Sequence, residues 1–103
     1  MPQMSMSPSR TQADASTAPV GPDAITIDGF AFAPASLTVP AGSTVTWTNR
    51  DEDPHTVVAG NGSFHSQALG AGGTYSFTFP TAGTFDYICS IHPFMHGTVV
   101  VTP

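Results

Sequence analysis

The sequence predicts an all-β sandwich, and three features of its 103 residues carry that reading. Apolar residues recur at every second position in short runs. Gly, Pro, Asn and Asp separate the runs, and no window has a helical period.

Residues 1–22, "MPQMSMSPSRTQADASTAPVGP", have neither an apolar run nor periodicity, and read as a disordered Ser/Thr/Ala/Pro-rich tail or linker. They contain no apolar core of a secretory signal and nothing long enough to span a bilayer. The domain is expected over residues 23–103. Its strands follow in order. "AITIDG" puts Ile25 and Ile27 on one face, "SLTVPAG" Leu37 and Val39, and "STVTWTN" Val45 and Trp47. "TYSFTFP" adds Tyr75, Phe77 and Phe79, and "TFDYIC" adds Phe85, Tyr87 and Cys89. Alternation of this kind predicts half-buried antiparallel strands, and "VPAGST" and "PTAGTF" predict tight turns between neighbours. Seven or eight strands in about 80 residues pack as two sheets around one core, leaving the loops at either end free for chemistry.

Composition narrows the function. A net charge of −5, with two arginines and no lysine, argues against a nucleic-acid or anionic-membrane surface and favours a basic partner. A single cysteine forms no internal disulfide, so Cys89 is a packed thiol, a nucleophile or a metal ligand. Its neighbours decide for the metal. In "YICSIHPFMHGTVVV" Cys89, His92 and Met95 stand at C-x2-H-x2-M, a loop short enough to turn all three toward one point. Thiolate, imidazole and thioether form a soft set suited to copper, whereas zinc gains little from the thioether. His55, in "TWTNRDEDPHTVV", lies where a loop meets the next β-like run and supplies the second imidazole of a His2Cys plane. Met95 and His96 compete for the remaining axial position. Adjacent residues re-entering a strand point to opposite sides, so Met95 is expected at the metal and His96 at the solvent-facing rim.

"NRDEDPH" followed by "YICSIHPFMHGTVVV" resembles the cupredoxins, and within them the small blue-copper proteins of the plastocyanin and amicyanin type. The resemblance covers roughly Ala24 to Pro103. It implies an eight-stranded Greek-key sandwich holding one copper ion that cycles between Cu(I) and Cu(II), hence a one-electron carrier and not an enzyme. It also implies His55, Cys89 and His92 as equatorial ligands and Met95 as the axial one. Asn49 is expected to tie the two ligand loops together through Ser90. Where amicyanin has a proline before the loop histidine this chain has Ile91, whose N–H is expected to donate to the Cys89 sulfur and raise the potential. Redox-protein partners with a basic surface are expected to approach a monomer at His92, Pro93 and Phe94, steered by Asp51, Glu52 and Asp53. The redox class of the site argues for the periplasm or cell surface, without insertion into the membrane.

Two other functions compete with this one. Ile88 and Ser90 flank Cys89 where a multicopper enzyme would need bridging histidines. Copper storage, delivery or resistance would draw on Met1, Met4 and Met6 of the tail as a loose thioether site. His65, in "NGSFHSQ", is expected to be a surface residue.

Overall fold

The computed structural model describes residues 23–103. The predicted tail, with Met1, Met4 and Met6, lies outside the described residues. The eight described strands are β1 (Ala24–Ile27), β2 (Phe32–Ala33), β3 (Ser36–Pro40), β4 (Thr44–Asn49), β5 (Val58–Ala59), β6 (Thr74–Thr78), β7 (Gly83–Ile88) and β8 (His96–Thr102). They form two four-stranded sheets, ordered β2-β1-β4-β6 and β3-β8-β7-β5. No helix among the described residues is long and apolar enough to cross a membrane.

The period-two reading holds at the level of single side chains. Burial alternates along β1 and β8, because successive residues of a strand face opposite sides of its sheet. Ile25, Ile27, Val45 and Trp47 from one sheet meet Val39, Tyr87, Val99 and Val101 from the other, and none is more than 3% exposed. Each of the isoleucines and valines among them, fully buried, contributes about 1.5–3 kcal/mol. Phe64 completes the core from outside any strand. It is buried in the long connection between β5 and β6, with its ring 5.7 Å from Trp47 and 5.5 Å from Phe79.

Antiparallel pairing throughout was expected, and the structure corrects this. β1 runs parallel to β4, with Ile27 opposite Asn49, and β3 runs parallel to β8. The turns explain it. "VPAGST", closed by the Ser43 N–H donating to the Pro40 carbonyl at 3.2 Å, carries the chain from β3 in one sheet to β4 in the other. "PTAGTF" likewise carries β6 to β7 across the sandwich. Both turns were expected to join neighbouring strands. Because they cross between sheets, strands adjacent in space are distant in sequence and parallel pairs become possible.

This topology assembles one end of the sandwich. The last residue of β7, Ile88, pairs with the first of β8, His96, so the loop from Cys89 to Met95 is a tight excursion at that end. β1 and β4 finish side by side there too, which brings the turn after Ile27 next to the loop after Asn49.

Candidate metal centre

Cys89 follows the last residue of β7 and is completely buried, facing inward like Tyr87. Its N–H donates to the Met95 carbonyl at 3.2 Å, and the Met95 N–H donates to the His92 carbonyl at 2.9 Å. These two bonds fold the loop back on itself and fix His92 over the cysteine. His55 arrives from the other loop. Its backbone exchanges two hydrogen bonds with Leu69, at 3.1 and 2.7 Å, and its ring is wholly buried.

The three side chains point at one another. Cys89 Sγ lies 3.8 Å from His55 Nδ1 and 3.7 Å from His92 Nδ1, and the two nitrogens are 3.2 Å apart. The circle through three points so separated has a radius of about 2.1 Å, an ordinary metal–nitrogen bond length. An ion at its centre would meet all three ligand atoms without any of them moving. This trigonal His2Cys set fits copper by the chemistry of its donors.

The sulfur is prepared for a soft metal. Burial by itself pushes the Cys89 thiol up, but hydrogen bonds from the Thr56 and His92 backbones and from both imidazoles outweigh it and hold the thiol at about 6. At neutral pH the sulfur is therefore mostly thiolate, the form that binds metal. The Thr56 N–H donates to it at 3.4 Å. The expected donor, Ile91, is not among the groups on the sulfur. The backbone N–H that donates to it belongs to Thr56, and Ile91 turns an exposed side chain outward.

The link between the ligand loops also differs from expectation. Asn49 does not reach Ser90. Its Nδ2 donates to the carbonyls of Asp53 (2.9 Å), Leu69 (2.8 Å) and Gly70 (3.2 Å), and its Oδ1 accepts from the Asp51 N–H at 2.9 Å. Asn49 thus fastens the His55 loop to the 69–70 segment behind it. Thr56 makes the bond to the cysteine loop. Its Oγ1 accepts the Ser90 N–H at 2.7 Å and lies 2.8 Å from the Ser90 Oγ. Thr56 directly follows His55 and its N–H already serves the sulfur, so it is better placed for this bridge than a residue at the end of β4.

Asp51 was expected in an exposed acidic run with Glu52 and Asp53. Glu52 and Asp53 are exposed, but the Asp51 carboxylate turns inward. Oδ2 lies 2.8 Å from His55 Nε2 and accepts the Phe30 N–H at 2.9 Å, while Oδ1 accepts the Gly29 N–H at 2.8 Å. The Phe30 N–H above all, with the Gly29 N–H and His55, holds this carboxyl below the usual range against the opposing effect of desolvation. A carboxylate on Nε2 favours the tautomer with the proton there, which leaves the Nδ1 lone pair free for a metal.

Sequence reasoning missed Thr56 and Phe30. Phe30 offered one signal: a bulky aromatic directly after glycine in a turn, where a small or polar residue is usual. Its ring stands edge-on to His55 and His92, at centroid distances of 5.2 and 5.1 Å. The competition between Met95 and His96 is visible in their burial: Met95 is 2% exposed and His96 lies open to solvent. His65 is exposed, as expected.

Comparison with known proteins agrees with this geometry. Residues 23–102 match the family of copper-binding proteins described as the plastocyanin/azurin family. Amicyanin-alpha of Methylorubrum extorquens is 40% identical over 89 residues, covering 82% of this chain and 75% of its own. Amicyanin of Paracoccus denitrificans is 46% identical over 70 residues, and the match spans 53% of that relative's length and 63% of this chain. Among solved structures, the Cu(I) form of an amicyanin mutant superposes with a TM-score of 0.73 at 39% identity, covering 82% of this chain and 85% of that one. A copper-containing nitrite reductase from Thermus scotoductus superposes with a TM-score of 0.75 at 31% identity, but the match covers 86% of this chain and only 24% of the reductase. Fold, ligand triangle and sequence therefore converge, and the chain belongs to the plastocyanin/azurin family of copper-binding proteins.

Proposed function

We propose that this chain is a one-electron carrier in which His55, Cys89 and His92 would hold a single copper ion, with the buried Met95 thioether as a weaker fourth donor. The observation that carries the reading is the triangle of two imidazole nitrogens and a buried sulfur, closed to bonding dimensions. Copper bound there supplies the Cu(I)/Cu(II) couple.

The protein's own part is to keep that triangle unchanged while charge comes and goes. Loops anchored by Asn49, Thr56 and the Cys89–Met95 bond hold the ligands in one arrangement, so little reorganises on transfer. Burial of Cys89 and His55 excludes water from the sulfur side. His92 is only partly buried and lies beside the exposed Ile91 and Phe94, which makes its ring edge the port for the electron. No histidine adjoins Cys89 in sequence to bridge to a second metal, which supports a carrier over an oxidase or reductase. The redox role of the site supports a periplasmic or cell-surface setting.

The first test is loading. Cu(II) added to the purified chain should give an intense blue colour from thiolate-to-copper charge transfer, and a colourless chain that retains only zinc would sink the reading. The axial position has its own test. Met95→Gln should keep copper bound yet shift the blue band and the potential, whereas His96→Ala should change neither. The reverse pattern would move the axial ligand to His96.

The partner surface follows from the same end of the molecule. With Asp51 engaged, Glu52 and Asp53 are the carboxylates free to steer a basic redox partner toward His92, Pro93 and Phe94. Transfer to a cationic redox protein should slow as salt rises, and the double change Glu52→Gln with Asp53→Asn should flatten that dependence. A steep dependence that survives the double change would place the docking charges elsewhere.

A further inference from the structure

Phe30 sits in a backbone conformation that a phenylalanine adopts only at a cost. Gly29 and Phe30 have φ of 62° and 59°, in a turn where the Asp28 N–H donates to the Ala31 carbonyl at 3.0 Å. Two successive left-handed residues suit Gly or Asn, and a bulky side chain there is strained. Strain kept at one position points to a use for the side chain that causes it. The ring meets both metal-ligand imidazoles at nearly right angles, 88° in each case, and lies 6.4 Å from the Phe94 ring. It is 39% exposed, so it stands between the imidazoles and solvent.

The turn is held by a group that also touches the site. Through its two oxygens, Asp51 takes the N–H groups of Gly29 and Phe30 and the Nε2 side of His55. The same carboxylate that orients the buried imidazole therefore fixes the residue walling both imidazoles.

We propose that Phe30 is a positioning residue of the copper site: its ring is a wall that keeps His92 and His55 in the ligand triangle, and Asp51 locks that wall to His55. The inference rests on the electron-carrier reading of the site and adds a third chain segment to it, the turn between β1 and β2. That turn is separated by 21 residues or more from every ligand loop group it touches through Asp51. Loss of the ring should open a path by which His92 leaves the metal. Loss of Asp51 should do the same by loosening the turn, in addition to its direct effect on His55.

The decisive variant is Phe30→Gly, because it removes the ring while relieving the strained backbone. Copper-loaded wild type and variant are reduced and mixed with bathocuproine disulfonate, and transfer of Cu(I) to the chelator is timed. Two edge-on aromatic contacts are lost, so release should quicken roughly tenfold. The unfolding midpoint of the metal-free protein should not fall, since relief of strain offsets the packing lost by a partly exposed ring. Asp51→Ala should quicken release in the wild type by a larger factor than in the Phe30→Gly background, because part of its action passes through the ring. Unchanged release in Phe30→Gly, a lowered metal-free midpoint that accounts for the faster release, or independent effects of the two substitutions would overturn the proposal. A wild-type chain that never turns blue would overturn the electron-carrier reading and this inference together. A blue wild type indifferent to Phe30→Gly overturns the inference alone.

Discussion

Cys89→Ser is expected to abolish the blue colour completely and to weaken copper binding by well over a hundredfold. Substitutions around a metal's ligands cost about 10–100-fold, and this one removes the ligand that makes the set soft. A buried serine keeps the size of the cysteine, and its oxygen still faces the Thr56 N–H, so the sandwich should persist. Near-ultraviolet circular dichroism of the metal-free variant should match the wild type while the copper spectrum disappears. Ser90→Ala is the control. It removes one contact to Thr56 and leaves the backbone bond between the loops, so the protein should stay blue. Retention of the intense blue band in Cys89→Ser would exclude Cys89 as a ligand.

Gly97→Ala is expected to cost about 3 kcal/mol of stability, although it adds a single methyl group. Gly97 pairs with Tyr87 across β7 and β8, and a methyl group on it would lie 2.2 Å from Tyr87 Cζ and 2.3 Å from its hydroxyl oxygen. Tyr87 is 1% exposed and hemmed in by Phe32 and Trp47, at ring distances of 4.7 and 5.4 Å, so it has nowhere to retreat. The strands would have to part instead. Both lead directly into the cysteine loop, so the blue spectrum should change as well. Denaturant unfolding measures the cost. Repeating Gly97→Ala in a Tyr87→Leu background, which lacks the clashing atoms, should remove most of it. An equal cost in both backgrounds would refute the clash.

Gly97 also shows how much the sequence withholds. In "HGTVVV" it reads as an ordinary break before an apolar run, and nothing local says that a tyrosine ten residues earlier lies over it. Asp51 is a similar case. Beside Glu52 and Asp53 it looks like one of three solvated charges, yet its carboxylate is held by two N–H groups from a turn more than twenty residues away. Thr56 carries no motif, although it bonds both the sulfur and the neighbouring loop.

What the sequence alone determined are the properties carried by neighbouring residues. Period-two alternation set the sandwich class and the inward faces of β1, β3, β4, β6 and β7. The C-x2-H-x2-M spacing set the soft donors on one short loop, and the parity of adjacent residues put Met95 inside and His96 outside. Only the tertiary structure decided which strands lie side by side, since the turns cross between sheets and make β1 with β4 and β3 with β8 parallel. It alone brought His55 to within 3.8 Å of Cys89, handed the link between loops to Thr56 in place of Asn49, and set Phe30 against the imidazoles. The physical reason is range. Alternation and spacing act over a few bonds, whereas each of these contacts depends on which of several sterically similar crossovers gives the best-filled core and leaves the fewest buried polar groups unpaired.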